Sequence, residues 1–169
     1  MNIITCLRSL LVAATLTGFA TSQRIFVGTP RDDFFGGRST HDIYIGDGGN
    51  DQLEGGDGHD DIDGGTGDDV LVGGAGDDRL WGGEGNDILY DDEGADVIFA
   101  AWDNDVDIIY CVDADRDDWF DVIDCDAEDI VICDPKDLIT VWEEIEENWT
   151  IVFQGTGAEY YEWLANGGR

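Results

Sequence analysis

Positive charge is scarce in this sequence. Its 169 residues include 8 Lys and Arg against 40 Asp and Glu, a formal net charge of -32. So negative a chain repels nucleic-acid phosphates and anionic membranes, which excludes both as partners and points to cations instead. Nitrogen and sulfur donors are also few. The only histidines are His41 and His59, and the 4 cysteines (Cys6, Cys111, Cys125 and Cys133) all lie outside residues 46–99. Soft metals would be poorly served there. Beyond the first 20 residues no apolar run is long enough to span a bilayer. There is no HExxH, no GxSxG and no phosphate-binding Gly-Lys loop, so no catalytic constellation is identified and the chain reads as a non-enzyme. Apolar content is not lacking, however. At 42% hydrophobic residues, with 6 Trp, 7 Phe and 5 Tyr, the chain has a core to bury, which argues against a disordered acidic protein.

The first 22 residues read as a secretory signal peptide. Residues 1–8 form a short basic region, residues 9–20 are largely apolar, and Ala20, Thr21 and Ser22 offer small residues for cleavage before Gln23. Cleavage after Ala20 fits nearly as well. Secretion places the mature chain in an oxidising, extracellular setting with three cysteines, an odd number.

From Gly46 the sequence falls into blocks of nine: GDGGNDQLE (46–54), GGDGHDDID (55–63), GGTGDDVLV (64–72), GGAGDDRLW (73–81), GGEGNDILY (82–90) and DDEGADVIF (91–99). The sixth position is Asp51, Asp60, Asp69, Asp78, Asp87 and Asp96. The eighth is Leu53, Ile62, Leu71, Leu80, Leu89 and Ile98. A period held in both columns signals a stacked-repeat architecture. Weaker copies are expected at 27–35, with Asp32 and Phe34, at 37–45, with Asp42 and Tyr44, and at 100–108, with Asp105. Gly36 is then an extra residue between the first two.

Each block has two physical halves. The glycine half must turn sharply and bring backbone close to something a Cβ would obstruct. The second half, such as Val70-Leu71-Val72, reads as a three-residue strand with its eighth position inward and its seventh and ninth outward. One isolated aspartate after glycine would be an ordinary turn residue. Six in strict register suggest ligands for a hard cation. Calcium suits them, because it takes six to eight oxygens and accepts carboxylates mixed with carbonyls.

These blocks resemble the hemolysin-type calcium-binding nonapeptide, the RTX repeat, with motif GGxGxDxUx. The resemblance is strong over residues 46–90 and good over 91–99. It implies an all-β, right-handed parallel β-roll in which two nonapeptides make one coil, consecutive turns fall on opposite sides, and Ca²⁺ lies between turns stacked on one side. Ions are then expected between Asp51 and Asp69, Asp69 and Asp87, Asp60 and Asp78, and Asp78 and Asp96. Asp91 and Asp92 replace the glycine pair there and distort or cap the last turn. The resemblance further implies backbone carbonyl ligands at the first, third and fifth positions: Gly46, Gly48, Asn50, Gly55, Asp57, His59, Gly64, Thr66, Asp68, Gly73, Ala75, Asp77, Gly82, Glu84 and Asn86. At His59 the carbonyl rather than the ring is the expected donor.

Outside the repeats, Asp107-Ile-Ile-Tyr-Cys111, Asp121-Val-Ile-Asp-Cys125 and Asp129-Ile-Val-Ile-Cys133 share one shape, and Asp137-Leu138-Ile139 continues it without the cysteine. They read as further coils, largely without glycine, that close the roll. If sides alternate, Cys111 and Cys133 share a side and are the expected disulfide. Trp81, Tyr90 and Phe99, at the ninth position, are expected to be covered by a terminal segment, with an exposed binding platform as the other reading. Residues 113–118 look superficially like the start of an EF-hand but lack its glycine. In the tail, Trp142, Ile145 and Trp149 hint at a helical face and residues 150–153 at a strand. Asn148-Trp149-Thr150 is a glycosylation sequon in a eukaryotic host.

The expected organisation is a signal peptide (1–22), a β-roll (23–109), Cys-containing capping coils (110–139) and an irregular C-terminal tail (140–169). The expected function is a secreted calcium-binding protein that folds on binding several Ca²⁺ ions. The alternatives are an extracellular structural or adhesive protein, with a polymer, cell surface or secreted protein as partner, and a calcium-dependent accessory to a secreted enzyme or toxin system.

Overall fold

The computed structural model describes residues 23–100, 105–111, 121–126, 129–133, 137–145 and 148–166. The expected signal peptide and the EF-hand-like loop lie outside them.

The chain winds into a parallel β-solenoid whose successive strands alternate between two sheets. One sheet takes β1 (Ile25–Val27), β3 (Ile43–Ile45), β5 (Asp61–Thr66), β7 (Arg79–Glu84), β9 (Val97–Phe99), β11 (Val122–Asp126), β13 (Leu138–Ile145) and β14 (Asn148–Thr156), in that order. The other takes β2 (Phe34–Ser39), β4 (Gln52–Asp57), β6 (Val70–Ala75), β8 (Ile88–Glu93), β10 (Ile108–Cys111) and β12 (Ile130–Cys133). Residues eighteen apart therefore stack, as the two-block coil requires: Leu53 pairs with Leu71 and Leu71 with Leu89, while Ile62 pairs with Leu80.

The eighth position is the core. Tyr44, Leu53, Ile62, Leu71, Leu80, Leu89, Ile98, Ile109, Ile123 and Ile139 are all fully buried between the sheets. Burial of one such side chain contributes about 1.5–3 kcal/mol, so each short strand gains its stability by stacking rather than alone. Phe26 closes the N-terminal end, its ring stacked on that of Tyr44 at 4.9 Å and tilted against that of Phe35 at 5.6 Å.

The strands are longer than the nonapeptide pattern suggests. Through the middle of the roll they run six residues, across the following glycine pair, so that Gly56 pairs with Gly74 and Gly65 with Gly83. These second-position glycines have φ near +100° (104° at Gly65, 110° at Gly74), where a side chain is strained. Two of the second positions carry aspartate instead, Asp47 (φ 78°) and Asp92 (φ 69°), a residue that tolerates this region better than most.

The nonapeptide frame is also more regular at its start than the sequence suggested. Asp33, not Asp32, occupies the sixth position of the first block, and Phe35, not Phe34, the eighth: the Asp33 N–H donates to Asp51 Oδ1, and Phe35 pairs with Leu53. The blocks are therefore 28–36 and 37–45, and Gly36 is the ninth residue of the first rather than an insertion. At the other end the aspartate equivalent to Asp87 is Asp107, not Asp105, because the intervening loop is two residues longer.

The tail corrects the helical reading of residues 142–149. Leu138–Ile145 is a strand, and β14 returns antiparallel to it. The helix comes later, as α1 (Gly157–Ala165). Thr156 caps it, accepting from the Glu159 N–H, while the Glu159 side chain accepts the Thr156 N–H at 2.8 Å. Tyr161 on α1 reaches the edge strand β12, where its hydroxyl accepts the Cys133 N–H (3.1 Å) and donates to the Cys133 carbonyl (3.2 Å). Both backbone groups of that edge residue are thereby satisfied. No helix among the described residues is long and apolar enough to cross a membrane.

Candidate metal centre

The sixth-position aspartates form two continuous ladders. On one side the N–H of Asp33 donates to Asp51 Oδ1, Asp51 to Asp69, Asp69 to Asp87, Asp87 to Asp107, and Asp107 to Asp129. On the other, Asp42 donates to Asp60, Asp60 to Asp78, Asp78 to Asp96, Asp96 to Asp121, and Asp121 to Asp137. The distances run from 2.6 to 3.3 Å. One carboxylate oxygen of each aspartate thus serves the fold by accepting an N–H from the coil before it. This role was not foreseen from sequence. Its signal was there, in the aspartates that precede the apolar pairs of the glycine-poor coils.

The second oxygen is the chemically open one. Asp51, Asp60, Asp69 and Asp78 are 1–2% exposed, and their Oδ2 atoms are buried and accept no hydrogen bond. Leaving such an oxygen charged and unpaired in the interior is costly. Burial accordingly pushes Asp69 up to about 6 and Asp78 to about 7, and it raises Asp51 and Asp60 as well. Neighbouring carboxylates push the same way, against the lowering effect of the accepted N–H.

Each open oxygen faces a bare glycine Cα. A Cβ on Gly55 would lie 2.6 Å from Asp60 Oδ2 and 2.5 Å from the carbonyl oxygen of Gly73 in the next coil. The same hypothetical atom on Gly64 would meet Asp69 Oδ2 at 2.5 Å and the Gly82 carbonyl at 2.6 Å. On Gly73 it would meet Asp78 Oδ2 at 2.7 Å and the Asp91 carbonyl at 2.8 Å. Gly46 stands in the same relation to Asp51 and Gly64. First-position glycine is therefore required by close approach, leaving a cradle lined by a carboxylate and a carbonyl. Hard oxygen donors in such an arrangement fit Ca²⁺.

The first rung of one ladder is met by a cation of the chain itself. At its N-terminal end, Arg24 holds Asp42 through its backbone N–H, Nε and Nη2. Burial by itself would raise the Asp42 carboxyl group, but the hydrogen bonds and charge of Arg24 keep it below the ordinary range.

Three of the five carbonyls expected from the third position are already in use. Those of Thr66, Ala75 and Glu84 accept the N–H groups of Gly49, Gly58 and Gly67, which leaves one lone pair on each. At the fifth position the side chains matter more than the sequence suggested. Asp68 donates its N–H to Asn50 Oδ1, Asn86 to Asp68 Oδ1, and Asp77 to His59 Nδ1. This second ladder runs opposite in sense to the first. His59 works through its ring, as an acceptor, and it stacks on His41 at 4.7 Å. The carboxylates of Asp57 and Glu84 are exposed on the outside.

The cysteines occupy the position that glycine holds in the repeats. Cys111 follows Tyr110, which pairs with Tyr90, so it lies where Asp91 and Gly73 lie one and two coils earlier. Cys111 and Cys133 do come into register. They are nevertheless buried thiols, as is Cys125, and no disulfide joins the expected pair. They act as small apolar core residues. The ninth-position aromatics pack on partners in the next coil of their own sheet, Trp81 on Phe99 at 5.3 Å and Tyr90 on Tyr110 at 4.8 Å.

Among known protein families, the model of the RTX calcium-binding nonapeptide repeat (4 copies) matches residues 36–71 and 72–107. No curated protein and no solved structure gives a significant match. The matched span takes in the aspartate rungs from Asp42 to Asp107 and begins upstream of the strongest blocks. By the period, the parallel winding, the glycine cradles and this match together, residues 36–107 are RTX calcium-binding nonapeptide repeats.

Proposed function

We propose that this chain is a secreted protein whose glycine-rich coils wind stably only with several calcium ions bound. One observation carries the reading: the buried, unpartnered Oδ2 atoms of Asp51, Asp60, Asp69 and Asp78, each beside a bare glycine and a carbonyl of the next coil. Calcium, when bound, supplies the positive charge those oxygens lack. The chain supplies the rest. Asp51 and the Gly64 carbonyl would hold one ion, Asp60 with Gly73 a second, Asp69 with Gly82 a third, and Asp78 with the Asp91 carbonyl a fourth. Remaining first-, third- and fifth-position carbonyls complete the shells, the third-position ones through their unused lone pair. Ions that bind the coil and not the unfolded chain convert binding free energy into folding free energy. The N-terminal segment, with its basic start, apolar stretch and small residues before Gln23, supports export. Extracellular calcium would then drive folding after the chain leaves the cell.

Circular dichroism and calorimetric titration of the mature chain test this. The expected result is a disordered spectrum in chelator, a β spectrum on adding calcium, and several ions bound per chain. An unchanged β spectrum in metal-free buffer, with no heat of calcium binding, would remove the reading. Export is tested separately, by finding Gln23 at the N-terminus of the protein recovered outside the cell.

The outer face of the six-stranded sheet favours a second reading, a calcium-rigidified surface for adhesion. Tyr90 and Tyr110 form a stacked pair there, and Ile130 and Ile132 are 50% and 38% exposed. Sedimentation in calcium discriminates: a clean monomer that binds neither polymer nor cells would leave only the first.

A further inference from the structure

The cradle changes character where the glycine coils give way to the apolar ones. Along the six-stranded sheet the first-position residues run Gly55, Gly73, Asp91, Cys111 and Cys133. Asp91 thus brings a carboxyl group to the place where earlier coils have a bare Cα. One carboxylate oxygen from each of Asp91, Asp96 and Asp121 lies within 4.8 Å of the other two, and each residue is 1% exposed. Asp91 Oδ1 accepts the Asp92 N–H at 2.8 Å. Its Oδ2 is buried and accepts no hydrogen bond, although the Cys111 thiol lies alongside the carboxyl group.

We propose that Asp91, Asp96 and Asp121 form a calcium site of a different kind from the glycine turns, a three-carboxylate site that ends the ion column on this side of the roll. Three buried carboxylates so close together cannot all carry charge without a cation among them. The spacing admits calcium: with Ca–O distances of 2.3–2.6 Å, two oxygens of one shell stand up to about 5 Å apart, so three oxygens within 4.8 Å of one another can share an ion. The ladder that starts at Asp42, neutralised by Arg24, runs through Asp96 and Asp121 to Asp137 and would then be neutralised by a bound ion where the glycine coils end. Three carboxylates, where a glycine turn offers one carboxylate and a carbonyl to each cradle, also favour a trivalent lanthanide.

This inference rests on the reading that open carboxylate oxygens of this roll take calcium, but the two fail separately. The mature chain and its Asp91→Asn and Asp69→Asn variants are titrated with terbium and with calcium, and ions are counted by calorimetry. Asp91→Asn keeps the backbone carbonyl that faces Asp78. It should lose one ion and weaken the tightest terbium site about tenfold or more, while calcium still induces the β spectrum. Asp69→Asn should leave that tight site intact and lose ions elsewhere. A terbium anomalous peak between the three carboxylates in a crystal would locate the site directly. An Asp91→Asn chain with the wild-type ion count and affinities would overturn the proposal. Should that variant not fold, Asp121→Asn, which retains Oδ1 to accept the Asp96 N–H, must lose the same tight site or the proposal fails. If Asp91→Asn loses its ion while Asp69→Asn loses none, the glycine-turn reading falls and this one stands.

Discussion

The coils of residues 46–90 and those of residues 107–141 share one backbone plan but fill their interiors by opposite means. Both stack parallel strands at a common register, both bury an aliphatic eighth position, and both carry the aspartate ladder. They differ at one inward position. In the first region it is Gly46, Gly55, Gly64, Gly73 and Gly82; in the second, Ala100 leads to Cys111, Cys125, Cys133 and Val141, all buried. Where glycine stands, space is left beside a carboxylate. Where cysteine or valine stands, apolar atoms occupy it. The sixth-position aspartate alone is therefore no mark of calcium, since it recurs in both regions for its N–H bond. The pairing of that aspartate with first-position glycine is the informative feature.

Chelation is the most severe test of this contrast. Removing calcium should abolish amide protection over residues 46–90 while β10 to β13 keep a larger share of theirs, as read by hydrogen–deuterium exchange. Uniform loss, or uniform retention, would break the distinction between the two regions.

Filling or emptying the first position should act differently in each. Gly55→Ala places a methyl group 2.5 Å from the Gly73 carbonyl and 2.6 Å from Asp60 Oδ2, so it should lower both calcium affinity and stability. Cys125→Gly should leave calcium binding unchanged and cost about 2–3 kcal/mol through a cavity and a more flexible chain. Calorimetry with thermal unfolding in excess calcium separates these outcomes. A change in ion count for Cys125→Gly would contradict the assignment of that cysteine to the core.

Proton dependence sharpens the comparison further. Asp69 and Asp78 sit at about 6 and about 7 against an ordinary value of 3.8. In metal-free buffer the folded state therefore binds more protons than the unfolded chain. Its stability is fully present below the ordinary value and is lost as pH rises through 6 to 7. The metal-free chain should gain β structure on acidification from pH 7.5 to about 4.5, and calcium affinity should rise with pH as protons cease to compete. Circular dichroism at fixed ionic strength measures the first. A metal-free chain that becomes less ordered on mild acidification would contradict it.

The smallest expected effect distinguishes the two oxygens of the ladder. Asp69→Asn keeps an acceptor for the Asp51 N–H but removes the charge, so it should weaken calcium binding by about tenfold or more. Asp129, in the apolar region, accepts the N–H of Asp107 at one oxygen and of Asp126 at the other, so Asp129→Asn should change calcium affinity by less than about twofold while costing about 1–3 kcal/mol of stability.

Most of the roll could be read in advance because its signal repeats. The columns of Leu53, Ile62, Leu71 and Leu80 set the inward face, and the nine-residue spacing set the eighteen-residue stacking. The frame was misread where glycine thins out. Asp32 and Asp33 are adjacent, as are Phe34 and Phe35, so only pairing with Asp51 and Leu53 could select the register. Asp107 could not be preferred over Asp105 without the loop between the coils. The shape shared by Cys111, Cys125 and Cys133 was legible as further coils, which β10, β11 and β12 are, whereas the expected Cys111–Cys133 bridge gives way to buried thiols in the glycine column. The tail misled because an apolar pattern without period suits a strand or a helix equally until β11 offers β13 a partner.

By itself, the sequence determined the coil: a strict period fixes which residues stack, because each block can bury its apolar residue only against a copy of itself. It also determined the affinity for hard cations, since oxygen is nearly the only donor the repeats contain. Tertiary structure decided which oxygen does what. Only stacking shows that one oxygen of each aspartate is held by the N–H of the preceding coil, that the other faces a bare glycine, and that Asp91 meets Asp96 and Asp121 across a turn. The ladder bonds join residues sixteen to twenty-five apart, and Asp91 and Asp121 are thirty apart, separations that no local pattern specifies.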